Sequence, residues 1–324
     1  MKSVTIRTAF AATGAKPLTV SPIALGIAKF GGYDRTAENH AQLDRFVSGG
    51  GNLIDTALVY GRWHDETRTS YSEKILGSWL KKDDNSEKAI VCTKGAHPLP
   101  GTTEPRVTPA CIAADIAESL DNLHTSPDIY FLHRDDERIP VSDIMDELNR
   151  HTEKGEMNLL GASNWTARRI YMANDYCEQH GLRGFDVSQI CFNIIRTTPA
   201  QIGDTTLVSM TEEDRSIYRD LGTTIMAFSS QAGGFVSKFY HTPDAEIRSP
   251  FACEETFARM RRIRMVCESE NLTPTAITLG YLRGQDIPVI PVIGASNDRQ
   301  LDDCMAWADF ALQPEWIRFI DGEL

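Results

Sequence analysis

Apolar residues along the chain gather in short runs, separated by longer stretches in which apolar positions recur with a helical repeat. Runs at 52–55, 89–94, 128–133, 159–163, 187–191, 224–228 and 289–293 read as strands, and an eighth is expected near 23–26. Helical patterns occupy 108–123, 142–152, 166–180, 256–270 and 298–308. The first of these opens on Thr108-Pro109, a hydroxyl suited to capping followed by a proline whose missing N–H costs nothing at the first helical position. Strand–helix alternation of this kind implies a parallel sheet with crossover helices. About eight such units without a linker-like boundary favour one closed barrel over a doubly wound sheet: an α/β protein, a single-domain (β/α)8 TIM barrel spanning residues 1–324. Long loops are expected at 62–69, 95–107, 197–211 and 233–250, at the C-terminal face of the strands.

Composition narrows the function classes. With 324 residues, 41% hydrophobic and 24% charged, the chain has ordinary globular character. A net charge of −12 argues against a broad nucleic-acid surface or an anionic-membrane surface. A small anionic cofactor is still compatible, because it needs only a local site. No apolar run approaches the roughly 18 residues of a membrane span, so no membrane insertion is expected. The first residues lack the apolar core of a signal peptide. Seven cysteines, odd in number and without a CxxC pair, suit reduced thiols in a cytoplasmic protein and give no zinc site. Oligomeric state is not legible.

The chemistry is suggested by the strand ends. In GNLIDTALVYG, residues 51–61, a buried run stops on Asp55, and Tyr60 follows after a small turn. A carboxylate beside a barrel core is costly unless a positive group pairs with it. Lys94 in IVCTKG, His133 in DIYFLHRDD and the Ser163-Asn164 pair in LLGASNW stand at the ends of other strands, where barrel enzymes carry their reactive groups. Strand alternation puts Lys94 on the face of Cys92, so its amine can enter the barrel mouth. Each residue alone has a bland reading, as a solvated lysine or a structural histidine. Together they suggest that Lys94 pairs with Asp55 and lowers the pKa of Tyr60 below the usual ~10 for a phenol. Such a phenol can act as a general acid toward a carbonyl oxygen that His133 orients.

The motifs LGIAKFGG, IDTALVYG, SEKILGSWL, TKG, LHRDD, GASNW, AFSSQAGGF and PVIGASNDRQLDD occur in this order. Through them the chain resembles the aldo-keto reductase family over essentially its whole length. The resemblance implies a catalytic tetrad of Asp55, Tyr60, Lys94 and His133. It also implies hydride transfer between a nicotinamide cofactor, NADP(H) with NAD as a further candidate, and a small-molecule carbonyl or alcohol. No GxGxxG follows the first strand, so the Rossmann route to a dinucleotide is absent. By resemblance, Ser163, Asn164 and Gln189 meet the nicotinamide carboxamide, and Phe228 takes the place of a ring-stacking aromatic. Ser229, Ser230 and Gln231, with Gly26 and Gly294, belong to the same cofactor track. At the adenosine end the basic residues of many relatives are missing. Ser296, Arg299 and Gln300 remain there, and Asp303 matches an adenine contact. Ala28 stands where relatives carry a bulky aromatic, and Trp63 and His64 are candidates for the substrate wall. A sugar-like or otherwise polyhydroxylated carbonyl is the expected substrate class. Two other readings compete: a cofactor-binding, redox-sensing regulatory subunit of a membrane protein, and a barrel lyase using Lys94 as a Schiff-base amine. HRDDE at 133–137 suggests a polar mouth, with simple solvation of residues 134–137 as the alternative, and no function attaches to the basic run at 259–264.

Overall fold

The computed structural model describes residues 1–63 and 69–324. Two short strands, β1 (Val4–Ile6) and β2 (Leu18–Val20), pair antiparallel, with Val4 opposite Val20. They precede eight parallel strands: β3 (Ala24–Gly26), β4 (Leu53–Asp55), β5 (Ile90–Gly95), β6 (Ile129–Leu132), β7 (Leu159–Ser163), β8 (Phe185–Cys191), β9 (Thr224–Phe228) and β10 (Val289–Ile293). Each pairs with its neighbour in sequence, and β10 closes back on β3, so the sheet is a complete barrel. The expected (β/α)8 fold is therefore the observed one. Closure leaves no sheet edge exposed, and the helices outside bury the second face. This explains why these strands read as near-continuous apolar runs rather than alternating ones.

Crossover helices run over Tyr71–Leu80, Pro109–Leu123, Val141–Glu153, Ala167–His180, Glu212–Leu221 and Pro274–Arg283, among others. Thr108 caps its helix as expected, accepting a hydrogen bond from the Cys111 N–H. Inside the barrel, Gly161 lies beside the Phe131 ring, where a Cβ would come within 2.3 Å. The glycine leaves room for that ring to fill the interior. Gly77 plays the same part between two helices, since a Cβ there would meet the Asn122 carbonyl at 2.2 Å. The β1–β2 hairpin lies at the N-terminal end of the barrel, where Asn52 donates to the Thr19 carbonyl and the Ala9 N–H donates to Asp186 at 3.1 Å. The strand C-termini are left for the site.

The basic run lies on helix Glu254–Glu270 and is consumed structurally. Arg259 is buried against Asp321 at 2.8 Å, Arg261 and Arg264 pair with Asp244, and Arg262 donates to the Ile320 carbonyl. No helix among the described residues is long and apolar enough to cross a membrane.

Candidate active site

The register of the first barrel strands brings the reactive groups together. Asp55 ends β4 opposite Cys92 of β5, and Lys94 follows two residues later on the same face. Beyond β4 the backbone turns under the control of its neighbour strand. Thr56 N–H donates to the Cys92 carbonyl and Leu58 N–H to the Lys94 carbonyl, both at 2.9 Å. That turn carries Tyr60 back over the barrel mouth. His133 stands just past β6, its N–H bound to the Gly95 carbonyl at 2.8 Å.

Lys94 is fully buried, and its ammonium donates to Asp55 Oδ2 at 2.8 Å, to the Thr56 carbonyl at 2.7 Å and to Tyr60 Oη at 3.5 Å. The second Asp55 oxygen accepts from the Gln189 amide at 2.8 Å. A buried ion pair persists only when its remaining valences are satisfied, and both partners here are met on several sides. Burial disfavours the charged lysine, but the Asp55 and Tyr60 interactions outweigh it and hold the amine above its ordinary value.

Tyr60 departs from expectation. Burial raises the phenol above its ordinary value, and the Lys94 charge opposes the shift without overcoming it. The Asp55 carboxylate, just behind the lysine, adds to the rise. The cation lowers the pKa in the expected direction, but the cost of desolvating a phenolate is larger. His133 is held well below the usual imidazole value by burial, and further by Arg134, His97 and Lys94. It is thus neutral at pH 7, and its Nδ1 is buried without a partner among the described residues. Its ring meets Tyr60 edge-on, with centroids 5.7 Å apart.

These groups open onto a cavity of about 220 Å³ whose wall includes Tyr60, His133, Ser163, Asn164, Gln189 and Phe228. Asn164 adopts a left-handed φ of 57°, which asparagine tolerates better than most residues. Its amide bridges the His133 carbonyl, Ser163 Oγ and the Val208 N–H, which fixes the rim. Trp63 also lines the cavity, with its ring centroid 6.0 Å from that of Tyr60. Ala28 is not among the lining residues, and His64 falls outside the described residues.

Further along, Ser229 has a φ of 50°, and the buried Ser230 hydroxyl is committed to the Val292 carbonyl at 2.7 Å. Gln231 accepts a weak hydrogen bond from the Cys304 thiol at 3.8 Å. Gly26 packs tightly, since a Cβ would lie 2.9 Å from Val292, whereas a Cβ on Gly294 would meet nothing within 4 Å. Helix Asp298–Ala306 is capped by the Asn297 side chain. Gln300 folds back so that its oxygen accepts from the Ser296 N–H at 2.8 Å, while Arg299 is exposed with no ion pair among the described residues. Asp302 is neutralised by Arg45 at 2.5 Å, and Asp303 accepts from the Thr275 hydroxyl at 2.6 Å.

Two polar wall residues, Arg134 and His97, lie outside the candidate set. Arg134 belongs to the polar run expected at the mouth, and it lines the cavity buried rather than solvated. It reaches Thr206 at 2.9 Å, Asp204 at 3.1 Å and the His133 carbonyl at 2.9 Å, tying β6 to the loop beyond β8. The other is His97, two residues past β5, whose ring centroid lies 4.8 Å from that of His133. Its place just beyond a strand C-terminus was the available signal. Among the described residues there is no group of three or more His, Cys, Asp or Glu side chains able to hold a metal.

A closed parallel barrel with an Asp–Lys–Tyr–His cluster at the C-terminal ends of its strands defines a class of oxidoreductase. The chain belongs to the aldo/keto reductase family, whose model matches residues 22–322. It is similar to aldo-keto reductase ausK of Aspergillus calidoustus, with 26% identity over 94% of this chain and 79% of that protein. Norsolorinic acid reductase B of Aspergillus parasiticus is 31% identical over 55% of this chain and 49% of its own length. Aryl-alcohol dehydrogenase [NADP(+)] of Phanerodontia chrysosporium is 30% identical over 55% of this chain and 49% of its own.

Proposed function

We propose that this protein is an NADPH-dependent carbonyl reductase in which Tyr60 is the general acid. The observation carrying the reading is the buried Lys94 ammonium, gathered with Asp55 and Thr56 behind Tyr60, which lines the cavity. When bound, the reduced nicotinamide supplies the hydride. The substrate's carbonyl oxygen is held between Tyr60 Oη and an N–H of the neutral His133. As charge develops on that oxygen, Tyr60 gives up its proton, and the Lys94 charge stabilises the phenolate left behind. In the reverse direction the phenolate takes the alcohol proton. Asp55 keeps Lys94 protonated and in place, and so acts through it.

The cavity fits a nicotinamide: Phe228 offers a ring face beside Ser163, Asn164 and Gln189, and all four share the wall with Tyr60. The open backbone at Gly294 and the exposed Arg299 suit the adenosine end and its 2′-phosphate. Gln300 is partly spent on the Ser296 N–H and contributes less than the sequence suggested. A reducing, cytoplasmic setting suits the seven unpaired cysteines. For substrate we favour a carbonyl compound with hydroxyl substituents, sugar-like or cyclic, because Trp63, Val59, Leu207 and Phe228 give the wall apolar faces and His97 and Arg134 give it polar ones.

The other readings gain no support. A Schiff-base amine must be neutral and available, whereas Lys94 is ion-paired and its pKa is raised. Nothing in the fold or in the relatives' names points to a regulatory subunit. The direct test is loss of NADPH absorbance with purified protein and a panel of aldehydes, ketones and keto-sugars. Binding of NADPH without turnover of any panel member would overturn the reading.

A further inference from the structure

His97 stands in the cavity wall with no part in the chemistry above. Its Nδ1 lies 2.7 Å from the Pro98 carbonyl oxygen. A carbonyl can only accept, so Nδ1 carries the hydrogen and a neutral ring presents a bare lone pair at Nε2. Burial and the nearby Arg134 guanidinium hold this imidazole below its ordinary value, so the neutral form prevails at pH 7. Toward the reacting carbonyl oxygen the Tyr60 hydroxyl and the His133 N–H are donors, and the oxygens of Ser163 and Asn164 in the same wall already accept hydrogen bonds. A carbonyl oxygen needs donors and has no use for another acceptor. An O–H does. The His97 ring packs at 62° against His133, the ring assigned to the carbonyl oxygen, and both rings line the same cavity.

We propose that His97 sets substrate choice by accepting, at Nε2, the O–H of a hydroxyl within two carbons of the reacting carbonyl, which makes α- and β-hydroxy carbonyl compounds the preferred substrates. This rests on the carbonyl-reductase reading and narrows it. A substrate lacking the hydroxyl strips water from the lone pair and puts nothing in its place, and sites built around a substrate O–H discriminate strongly on that ground.

The test compares isosteric pairs, hydroxyacetone with butanone and 2-hydroxycyclohexanone with 2-methylcyclohexanone, by kcat/KM with NADPH. Wild type is expected to favour the hydroxylated member by about tenfold or more. In His97→Phe that ratio falls toward one, and in His97→Gln, whose amide oxygen can accept, part of it returns. The ratio cancels any general loss of activity, and His97→Leu serves equally should the phenylalanine variant not fold. An undiminished ratio in the apolar variant, or a wild-type preference for the methyl compounds, overturns the role of His97 while carbonyl reduction stands. Turnover of other panel members but of none of these four overturns the substrate class. A panel that is inert throughout instead brings down the underlying reading.

Discussion

At Lys94 Nζ three oxygens meet one buried ammonium, and the consequences are measurable at each residue. Tyr60→Phe keeps the ring and its packing but removes the proton donor. Turnover should fall about 10²–10⁴-fold, the usual worth of general acid catalysis, with NADPH affinity by fluorescence titration near wild type. Retention of more than about a tenth of the wild-type rate would exclude the acid role. The pH dependence follows from the direction of the Tyr60 shift. Because burial raises the phenol, its protonated form persists through neutrality, and carbonyl reduction should weaken only above about pH 10. Alcohol oxidation needs the phenolate and should rise toward the same pH. Lys94→Met deletes the one strong influence lowering that pKa, so the oxidative limb should move to higher pH, and Asp55, left buried without its partner, makes the loss severe. An oxidative limb unmoved in Lys94→Met would refute the tuning. Since His133 is already neutral well above its depressed pKa, it should add no acid limb near pH 6.5.

Among the elements, helix Asp298–Ala306 is the one expected to discriminate between the two dinucleotides under the proposed function. The sequence shows two acids, Asp302 and Asp303, one turn beyond Arg299, and they argue against an additional phosphate. The fold moderates this, because Arg45 holds Asp302 at 2.5 Å and reaches Asp298 at 3.6 Å. A helix N-terminus and a free arginine should then give a modest NADPH preference, about tenfold, or about 1.4 kcal/mol. Arg299→Ala should erase most of it while sparing NADH. Arg45→Ala should act in the same direction by exposing two carboxylates. Dissociation constants for both nucleotides decide the matter; equal affinities in the wild type, or tighter NADH, would reverse the assignment.

Across the whole molecule, the barrel is closed from below by the N-terminal hairpin, and Asp186 at the start of β8 is one of the residues that hold it. Burial pushes this carboxyl up to about 7. The folded state therefore holds its proton more tightly than the unfolded chain does. The associated stability is complete below about pH 4 and is lost as pH rises through about 7, at most about 4 kcal/mol. Asp186→Asn keeps an oxygen for the Ala9 N–H and removes the ionisation. Its melting temperature should exceed the wild type's by several degrees at pH 8 and match it near pH 4. A variant less stable at both pH values would mean that the carboxylate itself is the favourable partner.

The pattern of apolar runs determined the barrel by itself, since strands covered on both faces must be apolar throughout, and that signature is local. The ordered motifs likewise placed Asp55, Lys94, His133 and Asn164 at strand ends, where register alone brings them together. The three-residue strands β1 and β2 are too short to show any period, and the motif SEKILGSWL folds as the helix Tyr71–Leu80, which the apolar pattern did not predict. Tertiary structure decided the energetic questions. Whether Arg134 is solvated, whether Asp302 is neutralised by a residue 257 positions away, and which way the Tyr60 phenol shifts depend on desolvation and on through-space distance. Sequence spacing measures neither. The same holds for His97: one residue in a loop, it became part of the site only when closure of the barrel laid its ring against His133.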